Sequence, residues 1–290
     1  MSGSTFRVTV GFSGSGASRR ALRWALHDAA EHGGDVHVVA VDPPHPGGPA
    51  GPLSPLSPSQ SLAAHLPEEI EHLAGRAPTV RTTTLTGTPA TALLLAAADS
   101  DALVLGCGRK VSPVGPGTGH VVRDCVPNAP VPLVLVGPQA VVGASRRLLV
   151  VTSEDDAGER WALHRAQEAR LPVRVLTTWV QNPLLALATD QDRPLHRDQA
   201  QARHHRACET LAPVARRSVQ ADVVEAYLRD VLAHRVGVGD LVVLGSAEAH
   251  EVPLRTLRAP VLLVPPVRRT VDLTALERES SFSGMVGSGR

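Results

Sequence analysis

The sequence predicts an α/β protein made of two doubly wound parallel-sheet domains in tandem, and three observations lead there. Short runs of Val, Leu and Ala that read as buried strands alternate with helical patterns. Three of these runs recur later in the chain in the same order. Hydrophobic residues make up 43% of the 290 residues while aromatics are only 2%, so the cores must be aliphatic, as suits strands covered by helices on both faces. A chain of this length is itself a prior for two domains.

Residues 8–11 form the first strand. A helix follows from about Ser18, its N-cap, with Ala21, Leu22, Ala25, Leu26 and Ala29 along one face. Residues 36–41 are the second strand. Residues 43–59 then hold seven prolines and three glycines, which excludes regular structure and predicts an exposed or disordered loop. A helix near 62–73 leads to a strand near 80–85. Thr88 and Pro89 start the next helix as N-cap and first helical residue, and it runs through Ala98. Residues 103–105 and 131–136 are further strands, with a short helical stretch at 120–126 before the second of them. This alternation implies right-handed crossovers and a parallel sheet of Rossmann-like or flavodoxin-like type, which binds ligands at the carboxyl ends of its strands. Residues 11–16 and 106–119 fall at those ends.

The pattern then repeats. Residues 147–151 (RLLVV) resemble 7–11 (RVTVG), 240–245 (DLVVLG) resemble 101–106 (DALVLG), and 259–264 (APVLLV) resemble 129–134 (APVPLV), at offsets of 140, 139 and 130. Residues 1–140 are therefore expected to form a first domain and 141–266 a second, shortened one. The polar stretch 267–290 reads as a disordered tail. From Gly106 to Ala129 the first copy advances 23 positions, and from Gly245 to Ala259 the second advances 14. The missing 9 are the Gly-rich segment that would face a ligand.

With 29 basic and 28 acidic residues the net charge is +1, which gives no nucleic-acid footprint. Cys107, Cys125 and Cys208 are too few and too scattered for a disulfide framework or a Cys-x-x-Cys metal site. The start, MSGSTFRVTVGF, lacks the pattern of a signal peptide, and no apolar run approaches the ~18 residues of a membrane span. The expectation is a cytoplasmic protein with neither nucleic acid nor membrane as partner. His205 and Glu209, four apart on a helix, would make a metal pair with His196 and His204 nearby, but no third ligand stands at tight spacing, and a solvated charged face is the preferred reading. Asp155 and Asp156 read as acidic charges favouring a helix start. Cys107 stands near Arg109 and Lys110, which would lower a thiol pKa, although a small residue packed behind the loop is the preferred reading. Trp24, Trp161 and Trp179 are expected between helices and sheet. No Ser/His/Asp or Cys/His set stands out, which favours a binding module over an enzyme. No catalytic or metal-ligating residue is assigned.

The candidate site is GCGRKVSPVGPGTGH (106–120), which follows a strand and precedes a helix. Glycines let backbone N–H groups approach an anion, the helix N-terminus adds partial positive charge, and Arg109 and Lys110 add full charges. From spacing alone, a Gly/Pro loop that only closes the strand stays slightly ahead, because the segment fits neither the Walker pattern nor the dinucleotide fingerprint.

Up to about Pro266 the chain resembles the universal stress protein family in tandem form. Three stretches carry the resemblance. VTVGFSGSGASRRALRW (8–24) is similar to the family's opening strand, turn and helix. LTGTPA (85–90), with the Ala-rich helix and DALVLG (101–106), is similar to its passage from third to fourth strand, and APVP (129–132) to its ending. ATP-binding members carry Gly-x2-Gly-x9-Gly-Ser/Thr after the fourth strand; Gly106, Arg109, Gly119 and His120 occupy the four positions here. The resemblance implies that Ser13 takes the place of an Asp that holds the nucleoside, and that Val41 lines the adenine. It implies ATP or AMP, with Mg, in the first domain, with Arg109 either filling the site or binding phosphate itself. His120 could donate to a phosphate when protonated. No nucleotide is expected in the second domain, where Gly245-Ser246 runs into AEAHE (247–251). The family dimerises through its last strand, so 131–136 and 261–264 are expected to lie antiparallel as neighbouring edges, an intramolecular pseudo-dimer that leaves a further homodimer open. SGSGAS (13–18) is also similar to the Ser-Gly-Gly-x-Asp-Ser loop of ATP pyrophosphatases, with Ala17 where the Asp should stand. Three function classes follow: a stress-response regulator with a first-domain ATP or AMP site, a nucleotide-free tandem that binds an unknown protein partner, and an adenylating enzyme.

Overall fold

The computed structural model describes residues 6–42, 56–73, 77–108, 120–180, 192–217 and 220–266. The first half carries β1 (Arg7–Phe12), α1 (Gly16–His32), β2 (Asp35–Asp42), α2 (Pro58–Glu71), β3 (Thr79–Thr86), α3 (Pro89–Ala96), β4 (Ala102–Gly106), α4 (His120–Cys125) and β5 (Leu133–Val136). The second carries β6 (Arg147–Val151), α5 (Ala157–Ala169), β7 (Val173–Trp179), α6 (Asp192–Leu211), β8 (Gln220–Glu225), α7 (Leu228–Arg235), β9 (Asp240–Gly245) and β10 (Val261–Val264). Single 3-10 segments follow α6 at Ala212–Arg217 and β9 at Ser246–Glu251.

The strands form one ten-stranded sheet in the order β3-β2-β1-β4-β5-β10-β9-β6-β7-β8. Neighbours within each half are parallel. At the centre β5 and β10 run antiparallel, with Leu135, Val134 and Leu133 opposite Val261, Leu262 and Leu263. This is the neighbour relation expected of these two segments. Two apolar layers flank the sheet and run through both halves. One joins Val8, Val10 and Leu22 to Leu148, Val150 and Ala162 beneath α1 and α5. The other joins Leu93, Leu103 and Leu135 to Leu244, Leu232 and Val261 on the side of α3 and α7. The outer strands β3 and β8 are polar and largely exposed, as suits sheet edges.

Local starts differ from expectation in two places. Helix α1 begins at Gly16 with Ser15 as N-cap: the Ser15 hydroxyl accepts from the Ser18 N–H, so Ser18 is already inside the first turn. Helix α2 begins within the Pro-rich stretch, because Ser57 and Gln60 form a capping box around Pro58 at the first helical position. Residues 43–55 and 267–290 lie outside the described residues. Helix α3 starts at Pro89 after Thr88 as expected, and ends at Ala96.

A buried polar joint fastens the halves together. Asp28 on α1 is 3% exposed; its carboxylate accepts from Arg165 Nη2 on α5 at 2.7 Å and from the Ser145 N–H in the connecting segment at 3.0 Å. His32 Nε2 lies 2.7 Å from the Ser145 carbonyl oxygen. The Arg165 guanidinium stacks 3.8 Å over the Phe6 ring, which also meets Trp161 edge-on. Removing one charge strands the other away from water. Asp28→Ala is therefore expected to lower stability by about 3–5 kcal/mol in urea unfolding, while the double substitution Asp28→Leu/Arg165→Met loses less than the single one. Equal losses would show that the charge pair is not what fastens the halves.

Candidate functional site

In each half the strand order reverses beside the first strand, between β1 and β4 and between β6 and β9. The carboxyl ends of those strands make a mouth, the place where such sheets take ligands.

At the first mouth, Ser13 is exposed at the end of β1, and its hydroxyl donates to Ser15 Oγ at 3.1 Å and Ser18 Oγ at 3.4 Å. Gly14 has φ +75, and a Cβ there would lie 2.6 Å from Ser61 Oγ, so the start of α2 sits on this turn. Across the mouth, a Cβ on Gly106 would lie 2.0 Å from the Ala17 carbonyl oxygen: β4 ends with its backbone pressed on the first turn of α1. Val41 is 6% exposed and belongs to the apolar layer on the α3 face. His120 opens α4, exposed, with Nδ1 3.1 Å from Arg123 Nη2. Arg109 and Gly119 lie outside the described residues. Ser13 and Gly106 are thus brought to opposite sides of the first turn of α1, Val41 lies behind at the sheet, and His120 is held at the start of α4.

The sequence reading missed Asp42, Ser59 and Ser61. The Asp42 carboxylate accepts from the Ser59 N–H at 3.0 Å and from its hydroxyl at 2.5 Å, anchoring the N-terminus of α2 beside the mouth. The signal that would have found them is Ser57-Pro58-Ser59-Gln60, a capping box with proline at its first helical position. Cys107 is packed behind the loop, the preferred reading: it is fully buried, and burial drives its thiol up to about 12 against the opposing pull of Arg20.

The second mouth has the same plan and opposite charge. Ser153 follows β6 as Ser13 follows β1, but Glu154, Asp155 and Asp156 replace Gly14, Ser15 and Gly16, and Glu159 replaces Arg19. Glu248 stands where the first half has Arg109. Glu159 is 1% exposed; Oε1 accepts from the Ser153 N–H at 3.3 Å, and Oε2 is buried with no hydrogen-bond partner among the described residues. Burial, helped by Asp156 and Asp155, pushes its pKa up to about 7. Glu248 Oε2 is likewise buried and unpartnered, 2.7 Å from where a Gly245 Cβ would stand, and burial raises its pKa too. Asp155 accepts from Ser153 Oγ at 3.0 Å and from the Ala157 N–H at the start of α5 at 3.4 Å. Asp156 has a left-handed backbone and pairs with Arg160.

His205 and Glu209 form an exposed pair at 3.2 Å. Among the described residues, no group of three His, Cys, Asp or Glu is placed to hold a metal ion. No described helix is long and apolar enough to cross a membrane.

Fold and mouths together define a doubly wound α/β protein. Residues 5–137 match the family model of the universal stress protein family, and this part of the chain belongs to that family. Similar solved structures include a universal stress protein from Archaeoglobus fulgidus, at 13% identity over 90% of this chain and 98% of that one, with a TM-score of 0.55; the two share the fold. A functionally unknown protein from Pseudomonas aeruginosa follows at 16% identity over 97% and 98%, TM-score 0.48. A universal stress protein in complex with cAMP covers 46% of this chain and 98% of its own at 20% identity, TM-score 0.37. No curated protein matches the sequence.

Two outcomes test this geometry. Glu159 binds its proton more tightly folded than unfolded, so between about pH 4.5 and 7 stability falls as pH rises, and the loss persists above pH 7. Glu159→Gln removes it, and the variant should gain up to about 3 kcal/mol on the natural protein between pH 5 and pH 8, read from unfolding midpoints; a pH-independent difference would contradict the assignment. Gly106→Ala forces a methyl onto the Ala17 carbonyl and should cost about 3 kcal/mol by the same assay, well above an ordinary surface glycine.

Proposed function

We propose that the chain is a non-enzymatic, cytoplasmic stress-response binding module with a weak site for ATP or AMP, with Mg, in its first half and none in its second. The observation that carries this reading is the charge difference between two mouths of one plan. The turn after β1 offers hydroxyls and no carboxylate, the helix N-terminus behind it favours anions, and Gly106 lets backbone draw close. The residues that would hold the nucleotide are Ser13, Gly106, Arg109, Gly119 and His120, with Val41 behind them. At the second mouth acidic groups stand instead, and Glu159 and Glu248 each hold a buried, unpartnered carboxyl oxygen, which disfavours a polyphosphate there.

A regulatory role fits the one Ser–His contact among the described residues of the first mouth. Ser61 Oγ is 3.4 Å from His65 Nδ1, but that nitrogen lies closer, 2.7 Å, to the Ser61 carbonyl oxygen, to which it donates. Arg19 takes the other ring nitrogen at 3.1 Å. With both nitrogens engaged, the imidazole has no free lone pair to accept the serine proton, which an activated nucleophile needs. A second reading, a nucleotide-free tandem that binds a protein partner, is favoured by Ser61 resting on Gly14 and by Asp42 holding α2 over the mouth. On either reading the β5–β10 pairing acts as an intramolecular pseudo-dimer.

Calorimetric titration with Mg-ATP and Mg-AMP, on the natural protein and on Arg109→Gly, separates the two. One equivalent bound weakly, and more weakly by the variant, is the expected result. No binding by the natural protein, whether or not the variant restores it, establishes the nucleotide-free reading. Two equivalents would overturn the asymmetry.

A further inference from the structure

A cleft of about 760 Å³ lies between the halves at the end of the sheet opposite both mouths. Its walls come from the last turns of α1, the connecting segment 141–146, the turn from α5 into β7 and the turn before β9. Its volume is that of a small-molecule site, and a domain interface is where such sites concentrate. Two features set the chemistry of an occupant.

The first is apolar surface left open to water. Val141 is 39% exposed and Val238 58%, and both border this cleft with Leu73, Leu171 and Pro172. The second is cationic charge without a partner. Arg146 and Arg170 line the cleft, are exposed, and form no ion pair with any described residue. The opposing charge among the lining residues is the single carboxylate of Glu31. Asp28, at the buried joint close by, is already engaged by Arg165 and Ser145, and His32 is held at the Ser145 carbonyl. Arg170 also keeps a left-handed backbone, φ 54, at the end of α5, where glycine is the usual residue.

We propose that this cleft binds a small amphipathic anion of the fatty-acid class, its carboxylate taken by Arg146 and Arg170 and its aliphatic body laid against Val141, Leu171 and Val238. Guanidinium groups suit a carboxylate head by forked, charge-assisted hydrogen bonds. The exposed valines gain by covering their apolar surface. Because the walls belong to both halves and to the segment between them, an occupant contacts all three.

The test uses the full chain and 8-anilinonaphthalene-1-sulfonate, an apolar body with one anionic head, followed by fluorescence and displaced with decanoate. One saturable equivalent is expected, displaced by decanoate and not by Mg-ATP. The double variant Arg146→Gln/Arg170→Gly should bind about tenfold or more weakly, the loss of roughly one charge-assisted contact. Glycine relieves the backbone at position 170, so this variant stays folded, which its unfolding midpoint confirms. Val238→Asp should weaken binding as well. The proposal is overturned by absence of a saturable single equivalent, by an affinity that the double variant leaves unchanged, or by displacement with Mg-ATP, which would place the probe at the first mouth.

Discussion

The short antiparallel ladder between β5 and β10 is the contact on which the rest of the architecture depends. Each half alone would end in a four-residue, wholly apolar strand with one side unpaired, an edge prone to uncontrolled association. Joined, the two edges satisfy each other. The pairing also fixes a local two-fold relation, so the outward order runs 5-4-1-2-3 on one side and 10-9-6-7-8 on the other. Both apolar layers then continue across the junction without a break. From this follow the facing positions of α1 and α5 and the contact of Asp28 with Arg165. A buried ion pair adds little net stability over an apolar pair, but it admits few alternative arrangements, so its role here is to set how the halves meet.

The two mouths show how one backbone plan can hold opposite chemistry. In the first half, β4 ends on a glycine pressed against backbone, and the chain then needs a long excursion to reach α4. In the second, that excursion is shorter, and the residues after β9 fold into a 3-10 turn that lays Glu248 over Gly245. A carboxylate thereby fills the space at the end of β9. Glu159, one helical turn into α5, is buried beside Ser153. These acids stabilise nothing when charged: desolvation raises both pKa values, and each keeps an orphan oxygen. At the end of β9, side-chain carboxyl groups thus occupy the place that bare backbone takes at the end of β4.

Much of the fold was legible in the sequence because parallel strands buried on both faces must be continuous aliphatic runs, and the helices between them are amphipathic. The ends of β4 and β9 were marked by the repeated Asp-to-Gly segments. The start of α2 was hidden for a physical reason: proline density is a sound argument against a helix interior but not against a helix start, where Pro58 lacks only an N–H that has no helical partner. Ser18 reads as the cap of α1 because it begins the apolar periodicity, whereas Ser15, one turn earlier, has the extended backbone a cap needs. Cys107 was placed correctly behind its loop, yet the charges beside it in sequence say nothing about its solvation. The joint of Asp28 with Arg165 could not be read at all, since nothing local to either helix marks a contact 137 residues apart.

The two ends of the sheet stand in different relation to the tandem arrangement. Each mouth is built within one half, from the ends of its own strands and the helix that follows, so duplication could give two sites or, after divergence, one. The cleft at the amino ends has no such independence. Its walls come from α1 in one half, from the turns before β7 and β9 in the other, and from the segment that joins them. The geometry that creates it is the same pairing of β5 with β10 that closes the sheet. A ligand there would sense how the two halves sit together, whereas a nucleotide at the first mouth would sense only the half that holds it.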